Sequence, residues 1–136
     1  MATQTVVETS PHPPLTAMAV AAPVVGWLVP GAGHMMLRRW WRGLLIFACI
    51  VCMFWLGVQM QGKVYAPNTG DILDILGFLG DFGTGLLYLV TKGMGWGHSS
   101  IQLASADYGT KFMIIAGLLN VITAVDAHHI AIGKKR

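Results

Sequence analysis

Val29-Pro30-Gly31-Ala32-Gly33-His34 leads, through Met35-Met36-Leu37, into Arg38-Arg39-Trp40-Trp41-Arg42-Gly43. Uncharged apolar runs flank this stretch, Leu15 to Val29 before it and Gly43 to Met60 after it. Tryptophan settles at the headgroup level of a bilayer, and arginine marks the side that is not translocated. Three guanidiniums and two indoles at the mouth of a long uncharged run therefore mark a membrane boundary. The stretch predicts a hairpin closing two membrane segments, and with it an all-α integral membrane bundle.

Composition agrees. Hydrophobic residues make up 54% of the 136 residues and charged ones 11%, against about 25% charged in a soluble domain. A bilayer crossing takes roughly 20 apolar residues. Four apolar segments, near 17–29, 43–61, 72–95 and 108–132, nearly exhaust the chain, and three or four of them are expected to cross. They form one transmembrane domain over 17–133. A polar tail over 1–16, with Pro11, Pro13 and Pro14, precedes it, and a basic tail over 134–136 follows. No basic residue precedes the first apolar run, and Glu8 interrupts the tail, so a signal peptide is not expected. The net charge of +3 gathers in Arg38/Arg39/Arg42 and Lys134/Lys135/Arg136, a pattern suited to anionic headgroups. No basic face interleaved with aromatics points to nucleic acid.

The first segment is short, about 22 Å of helix at 1.5 Å per residue, and it contains Pro23. The second is the plainest span. The third holds Asp74, Asp81 and six glycines. On one continuous helix, Asp74, Asp81, Gly85, Tyr88 and Lys92 form a polar stripe. A central aspartate costs roughly 2.5–3.5 kcal/mol to insert, so the stripe should face protein or water. Pro67, Asn68 and Gly70 predict a turn before it. The fourth segment gathers Ala116, Gly117, Asn120, Thr123, Ala124, Ala127 and Ala131 on one face, as close helix packing in lipid requires. No internal repeat is visible. If the third segment crosses, the two basic clusters fall on opposite sides. If it dips and returns, six of the nine cations share one side with the arginines. Length favours four crossings, while charge favours the dip.

Few residues suggest chemistry. Cys49 and Cys52 form a C-x-x-C, but two thiols complete no structural zinc site and read as small apolar fillers. His34, His128 and His129 are the imidazoles available to haem or a pigment metal. The plainer reading gives them local hydrogen bonds, for example with Asp126. Asp74 and Asp81 are intramembrane carboxylates, and so candidates for a proton or cation path. Their static alternative is pairing, Asp81 with Tyr88 or either with a lysine or arginine. Asp126 is expected to make a structural bridge to Lys134, Arg136 or the arginine hairpin. Pro30, Gly31 and Gly33 suit a tight turn, and no phosphate-loop lysine follows them. No G-x-S-x-G, no H-E-x-x-H and no acid–base pair stands out.

Val29 to His34, the Arg38-Arg39 pair and Arg42-Gly43-Leu44-Leu45 resemble the hairpin of small bacterial membrane proteins built on two transmembrane helices. Tyr108-Gly109-Thr110, Ala116-Gly117-Leu118-Leu119-Asn120 and Val125-Asp126-Ala127 resemble the closing motif of one uncharacterised family there. Met36 stands where an aromatic is usual, and Arg38 where glycine is common. The resemblance implies a multi-pass inner-membrane protein of unassigned activity with no cofactor, and adds weight to Asn120 and Asp126.

The expected function is non-catalytic: a small scaffold, accessory or assembly subunit in the bacterial inner membrane. Its partners would be lipid, other membrane subunits or copies of itself, with no metal. Interface positions would be Pro30, Gly31, Gly33, Arg38, Arg39, Trp40, Trp41, Arg42, Gly43, Asp74, Asp81, Gly117, Asn120 and Asp126. The alternatives are conduction through Asp74 and Asp81, and haem or pigment binding through His34 or His128.

Overall fold

The structure, a computed structural model, describes residues 17–65, 71–96 and 104–134. The tail over 1–16, the turn at Pro67, Asn68 and Gly70, and the last two basic residues lie outside these. The described residues are helical without strands, in the order α1 (Ala17–Leu28), α2 (Ala32–Met36), α3 (Trp40–Gln59), α4 (Ile72–Phe82), α5 (Leu86–Gly93) and α6 (Ala104–Ala131).

Two helices, α3 and α6, are long and apolar enough to cross a membrane. At 1.5 Å per residue they measure about 30 Å and 42 Å, against a hydrocarbon core of about 30 Å. They run antiparallel. Lys63 N–H, just past α3, donates to Thr110 Oγ1 near the start of α6 at 2.9 Å. Gly57 and Gly109 bring the backbones together there, since a Cβ on either would stand 2.7 Å from the other's carbonyl oxygen. The buried core between the two helices is Ile50, Phe54, Met113 and Ala116. Arg38, Arg39, Arg42 and Lys134 accordingly lie at one end of this pair, the arginine end. Lys63, Lys92 and Lys111 lie toward the opposite end.

The other four helices form two short hairpins that enter from opposite ends. α1 runs antiparallel to α6: Ala19 lies by His128 and Trp27 by Asn120. The chain then turns at Pro30-Gly31, with Gly31 at φ 77°, where a Cβ would collide with the Gly43 carbonyl. α2 leads back toward the arginine end, with Gly33 packed on Ala22 and Ala127. At 12 residues, α1 is too short to cross. The Pro30 stop was legible, but the return limb was not.

α4 runs parallel to α6 from the opposite end, Gly80 against Ile114 and Gly83 against Gly117. The chain then breaks at Gly83-Thr84-Gly85 and bends by 110° into α5. Gly85, at φ 60°, sits where a Cβ would collide with the Trp27 carbonyl. Trp96, beyond α5, stacks edge-on to Trp55 near the far end of α3, centroids 6.0 Å apart. The third apolar segment thus returns to the end from which it came. This corrects the expectation of four crossings: the helices provide two, or three if the bent pair counts as one span. It also corrects the single polar stripe, because no continuous helix joins Asp74 to Lys92. A positive-φ glycine and a threonine hydroxyl bonded back to the Asp81 carbonyl end α4 where the apolar pattern runs on.

A second correction concerns the arginine-tryptophan loop. α3 begins at Trp40, so Trp40, Trp41, Arg42 and Gly43 form its first turn. The tight turn falls on Arg38, at φ 61°, a conformation costing about 1–2 kcal/mol for a residue with a Cβ.

Candidate functional site where two hairpins meet

The hairpins meet against α6 at Asn120. Its side chain is completely buried, about 24 Å along α6 from one terminus and 17 Å from the other. Asn120 Nδ2 donates to the Trp27 carbonyl and to the Gly83 carbonyl, each at 2.8 Å. These carbonyls close α1 and α4, where a helix leaves its last C=O groups without intrahelical partners. One amide thus joins the tips of both hairpins. Asn120 Oδ1 has no partner among the described residues. Around this point Trp27 stacks on Phe82 at 5.0 Å.

Asp81, in the last turn of α4, is also completely buried. Its Oδ2 accepts the Tyr65 N–H at 2.8 Å. Its Oδ1 has no partner among the described residues. Its backbone carbonyl takes the Thr84 hydroxyl at 2.6 Å and the Thr84 N–H at 3.0 Å. The expected alternative of an Asp81–Tyr88 pair is replaced by an indirect link. Tyr88 donates to the Tyr65 carbonyl at 3.3 Å, and Lys92 Nζ to the Tyr88 hydroxyl at 3.5 Å. Lys92, Tyr88, Tyr65 and Asp81 therefore form a polar line from an exposed ammonium to the buried carboxyl. Asp74 lies half-buried about two turns earlier on α4. The Tyr65 phenol, in the segment after α3, is pushed above its ordinary value of 10.0 by burial, then by the negative fields of Asp74, Asp81, Asp107 and Asp71.

On the arginine side, His34 is buried to 2% exposure and its Nε2 lies 3.1 Å from Asp126 Oδ2. This contact joins Asp126, on α6, to the first hairpin. The two are 92 residues apart, beyond the reach of any periodicity argument. His128 Nδ1 meets the Ala19 carbonyl at 2.6 Å. Both histidines singled out for haem or pigment thus hold helix-to-helix contacts.

Among the described residues no group of three or more His, Cys, Asp or Glu could hold a metal ion. Cys49 and Cys52 are free thiols on the outward side of α3. Trp40 and Trp41 are exposed, Trp41 to 81%. Pro30, Gly31, Gly33 and Gly43 pack the first turn, and Gly117 is pressed against the Gly80 carbonyl. The small face of α6 is buried within the chain through Ala116, Gly117, Asn120, Ala124 and Ala127. Tyr65 and Thr84, central to the site, carried no sequence signal except that Thr84 stands between two glycines.

Residues 21–136 match the model described as "Family of unknown function (DUF6677)". The chain belongs to this family. The match runs from within α1 through both long helices, so Asn120, Asp81, His34 and Asp126 all lie within the family's span. No curated protein and no solved structure matches the chain.

Proposed function

We propose that the chain is a multi-pass bacterial inner-membrane protein that moves a proton or small cation across the membrane, with Asp81 as the group that holds it. The observation that carries this reading is the state of Asp81: completely buried at a helix break, with one carboxyl oxygen unpartnered among the described residues. Ionisable groups inside membranes are expensive and mark ion and proton pathways. The surroundings support the reading. Transporters bind ions where discontinuous helices meet, and half-helix C-termini coordinate cations. Here the C-terminal ends of α1 and α4, each with a partial negative charge, converge beside Asp81. The line through Tyr65 and Tyr88 to Lys92 leads from it toward the opposite end.

The accessory-subunit reading draws on the small-residue face of α6, and that face is occupied by α1, α3 and α4 of the same chain. We therefore place conduction ahead of it. Among the described residues four cations, Arg38, Arg39, Arg42 and Lys134, lie at the arginine end and three, Lys63, Lys92 and Lys111, toward the other, and the positive-inside rule takes the richer end as cytoplasmic.

The test is flux into liposomes holding the purified protein, under imposed proton, sodium or potassium gradients. Wild type is expected to carry one of these ions. Asp81→Asn is expected to lose the flux, and Asp74→Asn to keep most of it. Equal flux in wild type and Asp81→Asn, or no flux in wild type, overturns the reading.

A further inference from the structure

We infer that His34 and Asp126 form a second proton-binding station on the arginine side of Asn120, and that the ion moved is therefore H⁺. The inference rests on the proposed role of Asp81 and deepens it.

The chain repeats one order of elements in opposite directions: half-helix, positive-φ glycine, short helix, long helix. In the first pass these are α1, Gly31, α2 and α3; in the second, α4, Gly85, α5 and α6. Each hairpin buries an imidazole or carboxyl side chain almost completely, His34 in the first pass and Asp81 in the second. The two lie on opposite sides of Asn120. Six residues of α6, about 9 Å of rise, separate Asn120 from Asp126. Asn120 Oδ1 is fully buried and without a partner among the described residues. Along α6, Asn120 stands at a level between Asp81, whose neighbours Gly80 and Gly83 pack on Ile114 and Gly117, and Asp126.

A metal cation needs several oxygen ligands at once. Among the described residues the arginine-side station brings no group of three His, Cys, Asp or Glu together, and a carboxyl group beside an imidazole suits a proton. The net change is one proton lost by Asp81 and one gained by Asp126 or His34, carried between them by water, and no other bond changes. An imidazole can accept on one nitrogen and release from the other, so His34 passes the proton on toward the arginine end. The charged and titratable groups that the described residues place on the elements at this end are these. α1 contributes none. α6 contributes His128, held by the Ala19 carbonyl, and His129. The first turn of α3 contributes Arg42, the connector before it Arg38 and Arg39, and the segment after α6 Lys134.

A purely structural His34–Asp126 lock predicts a different result. The experiment uses the full chain in liposomes with an entrapped pH dye, a potassium gradient and valinomycin. Wild type is expected to pass protons, with neither sodium nor potassium carried in parallel assays. His34→Gln and Asp126→Asn are expected to lose the proton flux, and Asp126→Glu to retain it. Elution as a single species and unchanged helicity identify folded variants. If His34→Gln fails to fold, the Asp126→Asn and Asp126→Glu pair decides alone. Wild-type flux in folded Asp126→Asn overturns this inference. Loss in Asp81→Asn in the same series would leave the role of Asp81 standing. Flux of sodium or potassium in wild type overturns the proton assignment alone, and no flux of any ion overturns both.

Discussion

Replacing Asn120 with leucine removes the side chain that hydrogen-bonds to both hairpin tips and keeps its branched heavy-atom skeleton, with bulkier methyls in place of the amide. Two N–H···O contacts disappear, to the Trp27 and Gly83 carbonyls. Inside membranes a side-chain hydrogen bond averages about 0.6 kcal/mol and reaches about 1.7. A carbonyl left buried without a partner costs more, about 1–3 kcal/mol. The same substitution also removes Asn120 Oδ1, itself buried without a partner, and regains one such cost. Two losses against one gain leave a net destabilisation of about 1–3 kcal/mol, the worth of one orphaned group. Asn120→Asp keeps the shape but turns acceptor oxygens toward both carbonyls, so it should be the worse of the two. Reversible unfolding in mixed micelles, driven by a denaturing detergent, reads both. The expected order of stability is wild type, then Asn120→Leu, then Asn120→Asp. Asn120→Leu as stable as wild type, or Asn120→Asp more stable than Asn120→Leu, would refute the clamp.

Gly117→Ala should destabilise by about 1–3 kcal/mol through overpacking, because its Cβ would run into the Gly80 carbonyl. Gly93→Ala meets nothing within 4 Å and should be neutral or stabilising in the same unfolding assay. Single cysteines at Trp41 and Lys134 should react with an impermeant thiol reagent from one side of sealed vesicles, and at Lys63 from the other, in a background lacking Cys49 and Cys52; Trp41 and Lys134 on opposite sides would refute the returning α4–α5 hairpin. The Tyr65 phenol should ionise above 10.0 by ultraviolet titration against a Tyr65→Phe reference. Because its folded value is raised, it costs nothing at neutral pH, and destabilisation begins only as pH climbs past the ordinary value.

The long apolar helices and the packing face of α6 were legible in the residues, because each rests on local composition or on helical spacing. The turn at Pro30-Gly31 was legible for the same reason. The break at Gly83-Thr84-Gly85 was not: Leu79, Phe82, Leu86 and Leu89 keep helical spacing straight across it, so periodicity reads one helix where the backbone folds back. The His34–Asp126 and Asn120–Trp27 contacts join residues more than 90 positions apart, and only the folded chain brings them together. The mirrored order of elements left no trace as a repeat, since a glycine at positive φ is nearly all that the two passes share.

The Trp27–Asn120 contact also dates the birth of the fold. Ninety-three residues separate the two, so at synthesis rates of about 5–20 residues per second the first hairpin waits about 5–19 seconds for the helix that will cap it. Through that interval α1 has neither the length to span the bilayer nor the amide that satisfies its tip. It must rest in the headgroup layer, held by the tryptophans and arginines that follow it, and sink only when α6 arrives. The last helix made is the one that completes the first.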